Sequence, residues 1–94
     1  MSEAAAHIAP ALFVVYLGGH VAAGRMGEDH EVVLVVATDP QDARRRARAK
    51  WQGIGKAHVD AVQRVDRVDG HDVALVPGTE GDQASIDATY HRAD

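Results

Sequence analysis

The sequence contains no cysteine, so disulfide bonds, thiolate metal ligands and a cysteine nucleophile are all excluded. Aromatic residues make up only 4% of the chain, and the core must therefore be built mainly from valine, leucine and alanine. No apolar run approaches the roughly 20 residues of a membrane-spanning helix, and the N-terminal stretch has no basic region typical of a secretory signal. We therefore expect a cytosolic protein without a membrane partner.

The length and the charge balance limit the architecture and the partners. Ninety-four residues are enough for one small domain with one core. Ten Lys and Arg residues against fourteen Asp and Glu residues give a formal net charge of −4. This charge repels the phosphate backbone that supplies most nucleic-acid affinity, so nucleic acid is not the expected partner.

Two apolar runs and one capped segment predict the first three elements. Residues 11–17 (ALFVVYL) and 32–37 (VVLVVA) are continuous, β-branched runs typical of buried strands. Asp39 followed by Pro40 is typical of a helix start, and we expect a helix over residues 40–52 that ends at a glycine. Three residues spaced by four form its apolar stripe: Ala43, Ala47 and Trp51.

The second half of the chain predicts a hairpin. The chain from His58 is predicted to form an irregular or bulged strand. Asp69-Gly70 is a strong signal for a tight turn, and it favours a β-hairpin in which about residues 62–68 of this strand pair with residues 71–76. The expected fold class is α+β, a single small ββαββ domain over residues 11–77, with a mostly antiparallel sheet and one helix on one face. Residues 1–10 and 78–94 are interpreted as terminal extensions, with the second one disordered.

The strands are apolar on both faces, and this predicts a partner. A single 13-residue helix with a stripe rich in alanine covers only one face of a four-stranded sheet. We therefore expect the second face to pack on another copy of the chain in a homodimer, with coverage by the terminal extensions as the alternative.

The order of these motifs resembles a known family. LFVVYLGG, EDHEVVLVVA, a helix ending in Trp, HVD and VDGHDVALV together resemble the bacterial family named domain of unknown function 1543, over about residues 11–77. The resemblance supports the fold and implies no activity. Members with two tandem copies agree with the idea that one copy is half of a unit.

One end of the sheet is the predicted functional site. Because a crossover through the helix makes the second and third strands parallel, both strands begin at the same end of the sheet. Residues at i and i+2 of an extended chain point the same way, so Glu28 with His30, and His58 with Asp60, form two pairs. Together with Gly19 and His20, these four are the candidate binding residues: Gly19, His20, Glu28, His30, His58 and Asp60. The two pairs are also candidate ligands for a divalent ion such as zinc, or the basis of histidine acid–base chemistry, while the alternative is that they only satisfy backbone groups and water.

Three functions remain open from the sequence. The first is a non-catalytic dimeric module that binds a protein or a small ligand. The second is a metal-dependent or histidine-based enzyme that uses Glu28, His30, His58 and Asp60. The third is a weak nucleic-acid binder that uses the basic helix residues, although these are explained more simply as a solvated face: Arg44, Arg45, Arg46, Arg48 and Lys50.

Overall fold

The computed structural model describes residues 9–20, 22–24 and 26–78, which form a three-stranded sheet, one helix and a short hairpin. The elements, in chain order, are β1 Ala11–His20, β2 Asp29–Ala37, α1 Pro40–Ala49, β3 Ile54–Val65, β4 Arg67–Val68 and β5 His71–Asp72. The α+β class and the ββαββ order are confirmed, with the predicted third strand divided into β3 and β4 at Asp66 and the predicted fourth strand reduced to β5. Apart from residues 9–10 and 78, the two terminal extensions, including the segment predicted to be disordered, lie outside the described residues.

The core lies between the sheet and the helix, and β1 is its central strand. The sheet has the order β2-β1-β3, and β1 is antiparallel to both neighbours. Phe13, Val15 and Leu17 alternate along β1 and are fully buried against α1. Because β2 and β3 each run antiparallel to β1, they are parallel to each other, as predicted, although β1 separates them.

The helix begins as predicted and ends earlier. The Asp39 carboxylate accepts a hydrogen bond from the backbone N–H of Asp42 (2.8 Å), and Pro40 occupies the first turn. The predicted end at residue 52 is wrong, because the backbone N–H groups of Lys50 and Trp51 bond carbonyls three residues back and tighten the last turn. Trp51 therefore follows the helix and packs half-buried against the core.

The third strand is longer than predicted, and the hairpin is shorter. Val62 pairs with Val15 and Val65 pairs with Leu12, so residues predicted for the hairpin belong to β3. Only β4 and β5 form the hairpin, as a separate two-stranded ladder around Asp69 and Gly70, both at positive φ. The prediction of a fourth long strand was wrong: among the described residues, pairing across the turn extends past β4 and β5 only by the hydrogen bond from the Val73 backbone N–H to the Asp66 carbonyl oxygen (2.9 Å). The expected irregular strand is confirmed, because β3 shifts register twice along β1.

The face of the sheet opposite α1 is not covered by any element in the described ranges. Its residues on β1 and β2 are directly opposite each other in the register and form what we call the open-face patch: Leu12, Val14, Tyr16, Val32, Leu34 and Val36. Within the same ranges, no helix has the length and apolar character needed to cross a bilayer.

Candidate functional site

Four polar side chains meet on the open face, above Gly18 near the end of β1. His30 on β2 and His58 on β3 are the register partners of Gly18 on its two sides. Glu28 immediately precedes β2, and Asp60 follows His58 on β3. We call Glu28, His30, His58 and Asp60 the His–carboxylate cluster.

Each histidine of the cluster contacts both carboxylates through its Nε2 atom. His30 Nε2 lies 3.2 Å from Glu28 Oε1 and 3.5 Å from Asp60 Oδ2. His58 Nε2 lies 3.1 Å from Glu28 Oε2 and 3.1 Å from Asp60 Oδ1. The result is an alternating ring of two imidazoles and two carboxylates, in which all four carboxylate oxygens face a ring nitrogen.

The space for this ring exists because residue 18 has no side chain. A Cβ atom at Gly18 would lie 2.7 Å from His58 Nε2, 2.9 Å from Glu28 Oε1 and 3.0 Å from Asp60 Oδ2. These separations are shorter than normal van der Waals contact. The backbone of β1 therefore forms a floor on which the four side-chain ends converge.

A bulge in β3 gives Asp60 its position. The register moves from Tyr16 opposite Ala61 to Leu17 opposite Val59, so Asp60 is an extra residue without a partner on β1. Bulges of this kind redirect side chains and are frequent beside functional sites. Here the bulge leaves both Asp60 and His58 on the open face while Val59 packs against the core.

The two imidazoles of the cluster cannot donate a hydrogen bond in every one of its nitrogen–oxygen contacts. Two neutral imidazoles offer at most one Nε2 proton each, whereas the ring contains four nitrogen–oxygen contacts. While both histidines are neutral, the two carboxylates give the cluster a total charge of −2, and protonated histidines would instead balance that charge. A divalent cation would satisfy both the charge and the lone pairs.

The cluster is close to the size of a metal site, although three of its four contacts are slightly shorter than the spacing between tetrahedral zinc ligands. Ligands about 2.0–2.2 Å from zinc lie about 3.3–3.6 Å from one another in a tetrahedron. The nitrogen–oxygen contacts of the cluster span 3.1 to 3.5 Å. Ligand atoms of Glu28, His30 and Asp60 all lie within 4.8 Å of one another, and His58 contacts the same two carboxylates.

The cluster adjoins the open-face patch and is accessible to solvent. The rings of Tyr16 and His30 stack with centroids 4.9 Å apart and an interplanar angle of 6°. The cluster side chains are between 35% and 52% exposed, so a ligand can reach them without a conformational change.

The remaining two candidate residues lie elsewhere. Gly19 faces the helix side of the sheet, where a Cβ atom would lie 2.7 Å from Trp51 Cζ2. His20 is exposed and lines a shallow depression with Ala22, Gly24 and Ile54. Neither residue is in the ion-pair ring.

Sequence reasoning missed two residues that shape the site, Gly18 and Tyr16. The predicted strand ends at residue 17, whereas β1 continues through Gly18 to His20. Residues i and i+2 of a strand lie on the same face of the sheet. This rule would have placed Tyr16 and Gly18 together on the face that carries His30 and His58.

Two of the arginines of α1 form ion pairs with a carboxylate of the same helix. Arg45 and Arg46 both pair with Asp42, whose carboxylate also accepts a hydrogen bond from the Thr38 backbone N–H at 3.1 Å. That backbone bond, together with the two arginines, lowers the pKa of Asp42 from 3.8 to about 2. Within the part of the chain that the structure describes, Arg44 and Arg48 form no ion pair.

The fold and the site define a small α+β domain with one covered sheet face and a His–carboxylate cluster on the other. The family model for Domain of Unknown Function (DUF1543) matches residues 25–75, and the chain belongs to this family. The matched segment contains all four residues of the cluster, whereas Tyr16 and Gly18 precede it. No curated protein and no solved structure matches the chain.

Proposed function

We propose that this chain is a non-catalytic binding module whose small ligand is a divalent metal ion of the zinc type, held by the His–carboxylate cluster. The observation that carries the proposal is the convergence of Glu28, His30, His58 and Asp60 above Gly18. Four donors from two separate segments of the chain, residues 28–30 and 58–60, point at one another within 3.5 Å.

The donor set selects the class of ion. Two imidazole nitrogens and two carboxylate oxygens suit borderline ions such as zinc, whereas all-oxygen sites suit magnesium and calcium. The chain has no thiolate, so the softer ions that prefer sulfur are disfavoured.

The proposal is tested by zinc titration of the metal-free full-length chain, followed by calorimetry or with a chromophoric competitor. We expect one zinc ion per chain, and at least a tenfold loss of affinity in His30→Ala and in His58→Ala. His20→Ala is the matched control, because His20 is an exposed histidine of the same sheet outside the cluster. Its zinc affinity should equal that of the unmodified chain.

Melting temperatures separate a binding site from a structural cluster. Zinc should raise the melting temperature of the unmodified chain, because it binds only the folded state. In the absence of metal, the two cluster variants should melt close to the unmodified chain. A chain that binds no zinc at tens of micromolar, or variants that unfold without metal, would contradict the proposal.

A metal-dependent or histidine-based enzyme is the second candidate, and the openness of the cluster favours it. Structural zinc sites have four protein ligands, whereas catalytic sites keep one position for water or substrate. The three donors of Glu28, His30 and Asp60 would leave such a position, with His58 beside it as a general base. X-ray absorption of the zinc-loaded chain distinguishes the two, since the enzyme requires a water ligand and the binding module requires two histidines.

Nucleic-acid binding through α1 is the third candidate. The arginines that Asp42 does not hold, Arg44 and Arg48, are exposed and would supply its phosphate contacts. Such binding would weaken steeply with added salt, because it depends on the release of counterions. Fluorescence anisotropy with a short duplex at two salt concentrations tests it, and no binding at low salt would exclude it.

A further inference from the structure

We propose that the open-face patch is the interface of a symmetric homodimer, in which a second copy of this chain packs its own patch against the first. This inference does not depend on metal binding. It concerns the centre of the open face, next to the His–carboxylate cluster.

The patch exposes large apolar side chains at neighbouring positions of two strands. Tyr16 is 40% exposed, Val32 60%, Leu34 42% and Val36 45%. These residues lie opposite one another in the β1–β2 register and therefore form one continuous surface. Contiguous exposed apolar surface of this kind marks an interaction site, whereas singly scattered apolar residues do not.

The surface is uncharged and therefore suited to a copy of itself. The register partners on β3 continue the same face with Ala61, Gln63 and Val65. No charged side chain stands between Leu12 and Tyr16 on this face, so two copies related by a twofold axis meet without repulsion between like charges. Burying the open-face patch itself removes no charged side chain from water.

The rest of the chain has too little apolar material to cover the patch. Among residues 1–8, the only large apolar side chains are Met1 and Ile8. Among residues 79–94 they are Ile86 and Tyr90, in a segment that has four carboxylates. Neither of these segments presents an apolar surface that matches the six patch residues, whereas a second copy of the chain presents the same six.

Contact through the sheet face is also favoured over contact through the sheet edge. The Lys50 ammonium group donates a hydrogen bond to the Leu34 carbonyl oxygen (2.7 Å) on the outer strand β2. A lysine at an edge strand opposes pairing with another strand, because its charge would lose water. The open face has no such protection.

The size of the open-face patch indicates how stable the homodimer should be. Three strands about 4.8 Å apart and five residues with a rise of about 3.4 Å cover roughly 240 Å² of flat area per copy. Two copies together cover roughly 480 Å² of flat area, and even with side-chain relief the interface is smaller than the roughly 1,200 Å² of a standard specific contact. We therefore expect a weak dimer that forms at the high end of the concentration range tested below.

Sedimentation equilibrium of the full-length chain, over about 1 to 200 μM, tests the dimer. We expect a mass near 10.0 kDa at the lowest concentration and twice that value at the highest. Leu34→Glu should stay monomeric throughout. Leu75→Glu is the matched control, since Leu75 is also leucine, has similar exposure (39%) and lies outside the sheet, and it should dimerise like the unmodified chain.

Two further measurements make the outcome decisive. Val32→Lys changes a more exposed residue of the patch and should also abolish dimers, so misfolding of one variant does not hide the result. Zinc titration of Leu34→Glu should match that of the unmodified chain, which separates failure of the dimer from failure of the metal site. A monomer at 200 μM, equal effects of Leu34→Glu and Leu75→Glu, or protection of the patch from solvent in a monomer would each overturn the proposal.

Discussion

The phenol ring of Tyr16 lies parallel to the imidazole of His30, with the ring centroids 4.9 Å apart. This stack joins the apolar patch on the open face to the His–carboxylate cluster. A ring current from Tyr16 should shift the His30 ring protons upfield in NMR spectra. In Tyr16→Leu this shift should disappear, while the signals of His58, which has no described aromatic partner, should stay in place.

A substitution at Gly18 tests directly whether the His–carboxylate cluster binds the metal ion. Gly18→Ala places a methyl group within 3.0 Å of the side-chain ends of three cluster residues, which must move apart. Because the affected atoms are the ends of flexible side chains, we expect at least a tenfold loss of zinc affinity with a small loss of stability. Gly78→Ala is the control, since a Cβ atom there meets nothing within 4 Å. Unchanged zinc affinity in Gly18→Ala would show that the ion, if bound, lies elsewhere.

The helix start should give an acid-dependent contribution to stability. The pKa of Asp42 falls from 3.8 to about 2 because of the Thr38 backbone hydrogen bond and the pairs with Arg46 and Arg45. A lowered pKa means that the contribution is complete above about pH 4 and is lost as the pH falls towards about 2.

Asp42→Asn therefore tests that contribution by thermal melting against pH. The variant should melt below the unmodified chain near neutral pH, and the difference should shrink below about pH 4. Asp72→Asn, which changes an exposed carboxylate paired with Arg67, is the control and should show little difference at any pH. A difference for Asp42→Asn that stays constant down to about pH 2 would contradict the assignment.

Trp51 should stabilise the packing of the segment that follows α1 against the sheet. Its ring packs over Gly19 and Gly53 and against the core, but it is only half-buried. Trp51→Ala should therefore lower the free energy of unfolding by about 2–3 kcal/mol, below the roughly 3–5 kcal/mol of a fully buried aromatic residue. Denaturant unfolding measures this loss, with Gln52→Ala as the exposed neighbour for comparison. A loss under about 0.5 kcal/mol would mean that the ring contributes no packing.

Lys50 should protect the outer edge of the sheet. Lys50→Met removes the hydrogen bond to the Leu34 carbonyl oxygen and the charge beside β2. An apolar strand with an unprotected edge pairs readily with other chains, so light scattering should show more aggregation than for the unmodified chain. Arg44→Met removes one exposed charge from the same helix and controls for net charge. Equal scattering by the two variants would contradict a protective role.

Much of the fold was predictable because its signals are local. The Asp39-Pro40 pair places the helix start, and Asp69-Gly70 places the tight turn, since each acts on backbone groups only a few residues away. The apolar runs of β1 and β2 likewise reveal strands buried on one face and apolar on the other. The two polar pairs followed from the period of an extended chain and the parallel direction of β2 and β3.

What was wrong or missed depends on residues far apart in the sequence. The pairing of residues 62–65 with β1 depends on contact with residues about fifty positions away in the chain, which short-range signals do not report. The position of the Trp51 ring likewise depends on the space above Gly19, which lies on β1 far earlier in the chain.

The amino-acid sequence by itself determined the single small domain, the order of its elements and the residue types available for chemistry, because these follow from composition and short-range backbone preferences. Only the tertiary structure decided that Gly18 is the floor of the cluster, that Asp60 reaches it through a bulge, and that Gly19 faces the opposite side. These features arise where three strands pack side by side, and the register between strands is set by burial across the whole sheet rather than by neighbours in the chain.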